Sequence, residues 1–171
     1  MASLILTVVG PDRPGLVRAL SHAVAARGGS WLESRMARLA GQFAGIVLVE
    51  APESLLEDLR ALEGQGLRIV VQGGAAAETT GERLTLEVVG NDRPGIVRDI
   101  TAVVAAHGIN IEELTTGVSS GSFSGELLFK ATALLRAPDA AAVEAMRAGL
   151  EQLGNELMVD IQAASDVLPA G

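Results

Sequence analysis

The stretch Leu4–Arg18, LILTVVGPDRPGLVR, returns 80 residues later as Leu84–Arg98, LTLEVVGNDRPGIVR, with 11 of the 15 aligned positions identical. The chain is a duplicated module. Each copy reads as a short apolar strand, a tight turn and the start of a helix, and turns normally diverge faster than cores, so a repeated GxDRPG marks something the backbone must do there. Within the first copy Pro14 suits a first helical position, where its missing N–H costs nothing. Leu16, Val17, Leu20, Ala23 and Val24 then follow at the spacing of one buried helix face, and Gly28-Gly29 ends the helix.

Working outward, Ser30–Leu39 and Phe43–Glu50 read as two strands joined around Ala40-Gly41-Gln42, with Pro52 closing the second. Glu53–Glu63 places Leu55, Leu56, Leu59 and Leu62 at helical spacing, and Leu67–Val71 supplies a last strand. The second copy repeats the order: strand Leu84–Val89, helix Pro94–His107, strands Asn110–Val118 and Phe123–Leu134, helix Pro138–Leu153, strand Leu157–Ala163. Aligning Phe123 with Phe43 puts a six-residue extension before the second helix of this copy, because Phe123 to Pro138 is six positions longer than Phe43 to Pro52. In the last strand Leu157, Val159 and Ile161 alternate with Met158, Asp160 and Gln162, the period of a sheet with one wetter face. The expected fold class is α+β: two ferredoxin-like βαββαβ domains, each a four-stranded antiparallel sheet with two helices on one face. The expected boundaries are 1–73 for the first domain, 74–81 for a small-residue linker and 82–165 for the second domain.

Composition removes several function classes. The net charge of -8 repels a phosphate backbone, so direct nucleic-acid binding is not expected. With no cysteine and only His22 and His107, the chain has no thiolate or histidine-rich metal set, and no metal or cofactor is expected. Aromatic residues make up 2% of the chain against 49% hydrophobic residues, so the cores are aliphatic. No apolar run approaches the ~20 residues that span a bilayer, and the N-terminus carries no charged leader, so a cytoplasmic protein without membrane contact is expected.

At each GxDRPG turn the chain enters a helix whose first backbone N–H groups lack partners and whose dipole is positive. Gly15 and Gly95 leave room for close approach, and the amides around Leu16-Val17 and Ile96-Val97 suit a carboxylate. Asp12 and Asp92 suit an ammonium group, so the pair of features matches the head group of an amino acid. The alternative is structural: Asp before a helix is a common cap or turn former, Pro a common helix starter and Gly a packing choice. Duplication copies scaffold as faithfully as it copies sites, so the repeat leaves both readings open.

The strand ending in Gly, the DRPG[LI]V helix start, the helix end AAHGINI and the hairpin with a Gly after Phe make both halves resemble ACT domains, small-molecule regulatory modules of βαββαβ fold. The two-unit architecture is similar to the glycine cleavage system transcriptional repressor family. That resemblance implies an amino acid, glycine or another small one, held between the first turn of one domain and the second-strand start of another. It implies a protein partner such as a transcription factor, and a homodimer. Carried over by position, the implied ligand-binding residues are Gly10, Asp12, Arg13, Gly15 and Leu16 in the first copy. In the second they are Gly90, Asn91, Asp92, Gly95, Ile96 and Asn110. The first copy departs from the pattern at the strand start, reading Gly29-Ser30-Trp31, so the second is expected to be the better site.

No catalytic residue is expected. Glu112, Glu113 and Glu126 lack an orienting His, Lys or metal ligand and read as a solvated strand face. His22 and His107 occupy non-equivalent positions with surface or cap roles. Arg13 and Arg93 either steer an anion or, forced extended before Pro, point to solvent or a neighbouring carboxylate. Three functions follow: a non-catalytic amino-acid-responsive regulator; a regulatory subunit of a separate enzyme of amino-acid or one-carbon metabolism; and a structural adaptor without a ligand. With few residues beyond Ala163 and no nucleophile-base-orienter set, an enzyme is the least expected.

Overall fold

The computed structural model describes residues 1–75, 79–121, 125–154 and 157–165. They divide into two compact units, Met1–Ala77 and Glu78–Gly171. Unit 1 runs β1 (Ala2–Pro11), α1 (Leu16–Ala26), β2 (Ser30–Leu39), β3 (Gln42–Ala51), α2 (Leu55–Glu63), β4 (Arg68–Gly73). Unit 2 runs β5 (Glu82–Asn91), α3 (Ile96–Ala106), β6 (Asn110–Ser120), β7 (Leu127–Ala137), α4 (Ala140–Glu151), β8 (Met158–Ala163). Each makes a four-stranded sheet, ordered β2-β3-β1-β4 and β6-β7-β5-β8, antiparallel throughout. The expected α+β class with two ferredoxin-like units is what forms.

Alternation along the strands sets the two faces of each sheet. In β1 the buried residues Leu6 and Val8 meet Leu20 and Val24 of α1 and Leu55 and Leu59 of α2 in one core. In unit 2 Leu86 and Val88 do the same with Ile100, Val104, Met146 and Leu150. The opposite sheet face of each unit carries no helix. The helix pair is joined differently in the two copies. Arg27, closing α1, makes a two-pronged ion pair to Asp58 of α2 at 2.6 and 2.8 Å. Its equivalent His107 closes α3 beside Gly149, whose missing Cβ would stand 2.8 Å from Val103 Cγ1, so unit 2 replaces the ion pair by close approach of the helices.

Three expectations change. The helices begin at Leu16 and Ile96, not at Pro14 and Pro94, because Gly15 and Gly95 sit in the left-handed region (φ 88° and 81°) and a right-handed helix cannot include them. Val17 is not part of the buried stripe; it is 44% exposed. The six-residue extension lies in the β6–β7 hairpin loop and not before α4, since Gly10 pairs with Phe43 while Gly90 pairs with Phe129. Phe129 is thus the counterpart of Phe43, and Phe123 lies outside the described residues. Among the described residues no helix is long and apolar enough to cross a membrane.

Candidate functional site

Each junction is built from a strand end, a turn and a helix start. Gly10 is fixed by packing: a Cβ there would meet the Gly66 carbonyl oxygen at 2.9 Å and Leu67 Cδ2 at 3.0 Å. Gly15 is fixed by conformation instead, with open space where its Cβ would stand. Its carbonyl accepts the first intrahelical bond from Ala19 N–H at 2.9 Å, as Gly95 accepts from Asp99 N–H at 3.0 Å. Leu16 and Ile96 anchor the helix starts in their cores. The N-cap glycines have no side chain to cap with, and among the described residues no first-turn N–H is shown donating to the Asp12 or Asp92 carboxylate.

The aspartates and arginines of the two turns do different things. In unit 1 the turn is tied down on both sides. The Asp12 N–H donates to the Gly41 carbonyl at 2.8 Å, and the Asp12 carboxylate accepts from Arg38 Nε at 2.6 Å. Arg13 donates to the Gln65 carbonyl. In unit 2 the register position of Arg38 is held by Val118, each lying opposite the equivalent phenylalanine. The Asp92 carboxylate therefore has no ion-pair or hydrogen-bond partner among the described residues, although its N–H donates to Leu127 at 2.8 Å. Arg93 turns to Asp99 in the first turn of α3 at 2.7 Å, and Arg98 reaches the same carboxylate at 3.0 Å. Hydrogen bonds from Arg93 and then Arg98 hold the Asp99 carboxyl below its ordinary value. Of the two expectations for these arginines, Arg93 meets a neighbouring carboxylate and Arg13 meets a backbone carbonyl.

The start of the second strand is a separate place in each unit. In unit 2 a surface groove of about 530 Å³ runs between α3 and β6, lined by Arg98, Thr101, Ala105 and Asn110 among others. The equivalent groove in unit 1, about 430 Å³, is lined by Arg18, Ser21, His22, Gly29 and Trp31. Trp31 packs against the unit 1 core, as its counterpart Ile111 packs against that of unit 2. An 11-residue helix, about 16 Å long, separates turn and strand start inside one unit. One unit alone does not bring Gly10–Leu16 and the strand start together, nor Gly90–Ile96 and Asn110.

Sequence reasoning missed Arg38 and Asp99 as the residues that make the junctions unequal. Arg38 is 26 positions from Asp12 and is recognised only from the β2–β3–β1 register. Asp99 carried a weaker signal, an acid in the first helical turn of one copy where the other has Ala19. Glu112 is a correction. It is not solvated but held by Arg83 at 3.0 Å and Arg136 at 2.6 Å, with all three side chains 20% exposed or less. The arginines also donate to the Ser165 and Gly81 carbonyls, so the cluster fastens both ends of the unit.

A βαββαβ unit with a glycine-bearing turn feeding a helix start, present twice, defines a tandem ferredoxin-like protein. Residues 2–72 match the ACT domain family and residues 84–148 match it again, and the chain belongs to that family with two copies in tandem. It is related to the glycine cleavage system transcriptional repressor of Escherichia coli (strain K12), 28% identical over 123 residues. That match covers 66% of this chain and 63% of the repressor's own length. A crystal structure of a protein of unknown function from Galdieria sulphuraria is 30% identical with a TM-score of 0.82, covering 96% of this chain and 99% of that one. A second solved structure, provisionally named for the same repressor, shares the fold at 19% identity and a TM-score of 0.67, covering 95% and 98%. The protein is an ACT-domain regulatory protein related to that repressor.

Proposed function

We propose that this chain is a non-catalytic regulator that binds a small amino acid such as glycine at a boundary between ACT units and so changes its docking on a protein partner. The observation that carries this reading is the pair of helix starts behind left-handed glycines without a side-chain cap, where first-turn backbone amides suit an α-carboxylate, the Ile96 N–H alone being turned to the Arg93 carbonyl at 3.3 Å. The proposed residues are Gly10, Asp12, Arg13, Gly15 and Leu16 in unit 1, with Gly90, Asn91, Asp92, Gly95, Ile96 and Asn110 in unit 2. The unpartnered Asp92 suits the ammonium group better than Asp12, which Arg38 already neutralises. A ligand shifts a packing equilibrium only by its differential affinity, and a site shared by two units supplies that difference. By analogy with the repressor the partner is a transcription factor, reached without direct nucleic-acid contact, in a cytoplasmic homodimer.

Thermal-shift measurement with each amino acid tests the reading. A ligand at 100 times its dissociation constant adds about 2.7 kcal/mol, a shift of several degrees in a unit of this size. A flat response to all of them refutes ligand binding and leaves the second reading, an adaptor or a regulatory subunit of a separate amino-acid or one-carbon enzyme. Co-purification from the native host then separates those partners.

A further inference from the structure

The two turns differ in which cation answers their aspartate. In unit 1 the row Gly10, Phe43, Arg38 crosses the sheet from β1 to edge strand β2 and brings the Arg38 guanidinium to the Asp12 carboxylate, Nε to Oδ2 at 2.6 Å. The same row in unit 2 reads Gly90, Phe129, Val118, and β6 carries no lysine or arginine at any position. The cations that do lie near the second turn are claimed by other acids. Arg93 and Arg98 hold Asp99 at 2.7 and 3.0 Å, and Lys130, opposite Val89, holds Glu87 at 3.2 Å. Unit 1 has neither of those acids, since Ala19 stands at the place of Asp99 and Thr7 at that of Glu87. Three separate differences between the copies therefore act in one direction. They leave a neutralised aspartate in the first turn and, among the described residues, an unpaired one in the second.

We propose that Arg38 sets the order in which the two amino-acid sites fill. Its guanidinium occupies on Asp12 the place that the ammonium group of an amino acid takes on Asp92. The second junction then fills first, and the first fills by exchange of one cation for another. This ranking rests on the amino-acid reading of the two junctions. The Arg38 side chain is 68% exposed, so the pair is a movable arm at the surface and not a buried lock. Breaking an exposed ion pair weakens binding up to about fivefold, and the displaced guanidinium, still tethered to β2, repels the incoming ammonium group besides. The two sites should differ by about tenfold.

Salt gives the exchange a signature of its own. At Asp92 the ligand makes an ion pair that was not there before, so its affinity falls as salt screens the attraction. At Asp12 one cation replaces another on the same carboxylate. No ion pair is gained, and the affinity of the first junction should hardly change.

Calorimetric titration of the intact chain with glycine, repeated with L-alanine and L-serine, tests the ranking. The expected wild-type isotherm has two steps about tenfold apart, of which Asp92→Asn removes the tighter. Arg38→Val installs the residue that unit 2 carries at this register. It should tighten only the weaker step, by about tenfold, while Arg38→Lys, which keeps the charge, should keep most of the gap. Raising sodium chloride from about 0.05 to 0.5 M should weaken the tighter step and spare the weaker one in the wild type, whereas in Arg38→Val both should fall. Arg38 lies exposed on an edge strand, and circular dichroism checks that its variants stay folded. Two equal steps in the wild type, a gap that survives Arg38→Val, or a weaker step that falls with salt as steeply as the tighter one overturns the ranking and leaves amino-acid binding standing. Absence of binding by all three amino acids, in wild type and variants alike, refutes instead the reading on which the ranking rests.

Discussion

Replacing Gly15 tests the geometry of the junction in isolation. Gly15 has φ 88° and nothing within 4 Å of the place a Cβ would occupy, so Gly15→Ala introduces conformational strain without a clash. For an L-residue the left-handed region costs about 1–2 kcal/mol. The smaller entropy of the unfolded Ala chain returns about 0.5 kcal/mol, which leaves a net loss near 1 kcal/mol. For a unit of this size that lowers the melting temperature by about 4–8 °C. Asn tolerates the left-handed region, so Gly15→Asn should lose about half as much, and the β-branched Gly15→Val should lose more than Ala. Gly95→Ala should resemble Gly15→Ala, because the contact its Cβ meets is the Arg98 Nη2 at 3.0 Å, the end of an exposed and movable side chain. Differential scanning calorimetry is the assay, since two units can melt in separate steps and each variant should move only its own. If Gly15→Ala melts within about 1 °C of wild type, or Asn is no better than Ala, the left-handed junction is not the constraint argued for it.

Further consequences follow from the ion pairs and the proposed site. The hydrogen bond from Arg27 holds the Asp58 carboxyl below its usual value, so its contribution to stability is present above the ordinary carboxylate range and is lost as pH falls through the depressed value. Urea titrations below about pH 4 should show a shallower pH dependence of unit 1 in Asp58→Asn than in wild type, and identical slopes would contradict the assignment. Glu112→Ala removes the carboxylate that the largely buried Arg83 and Arg136 share and should cost unit 2 about 2–3 kcal/mol in chemical denaturation, the partial exposure lowering it below a fully buried pair. In calorimetric titration with the amino acid found by screening, Asn91→Ala and Asn110→Ala should each weaken binding more than Ser30→Ala; equal losses would remove the inequality of the two sites.

How far the sequence could be read depended on whether a feature is local. The duplication, the element order and the approximate place of each helix and strand follow from periodicity and from Gly and Pro punctuation, although the strand expected at Phe123–Leu134 runs Leu127–Ala137. The helix start at Leu16 did not, because Pro14 is compatible with either a first helical position or the turn before it, and the sign of φ at Gly15 is invisible to composition. The hairpin extension was misplaced for a related reason. Two phenylalanines, Phe123 and Phe129, matched Phe43 equally well by type, and only the pairing of Gly90 with Phe129 decides between them. Glu112 looked solvated because its partners, Arg83 and Arg136, lie on other strands and converge on the bulge between Ile111 and Glu113.

The same distinction bears on how the two copies came to differ. The DRPG turn is local, and its backbone geometry is nearly unchanged: both glycines are left-handed and both helices start one residue later without a side-chain cap. What differs is reached across strands, Arg38 against Val118 beside the turn and Ile46 and Val70 against Thr132 and Asp160 on the open sheet. Substituting such a cross-strand residue leaves the local propensity that folds each unit intact, so these positions vary at little cost to the fold. In a tandem protein they are the economical place to give one copy a free carboxylate and the other a neutralised one. A Val118→Arg substitution makes the point testable. If the junctions differ through this register position, the new arginine should pair with Asp92 as Arg38 pairs with Asp12. It should also weaken amino-acid binding at the second junction by competing for the carboxylate. Unchanged affinity would place the difference between the copies elsewhere.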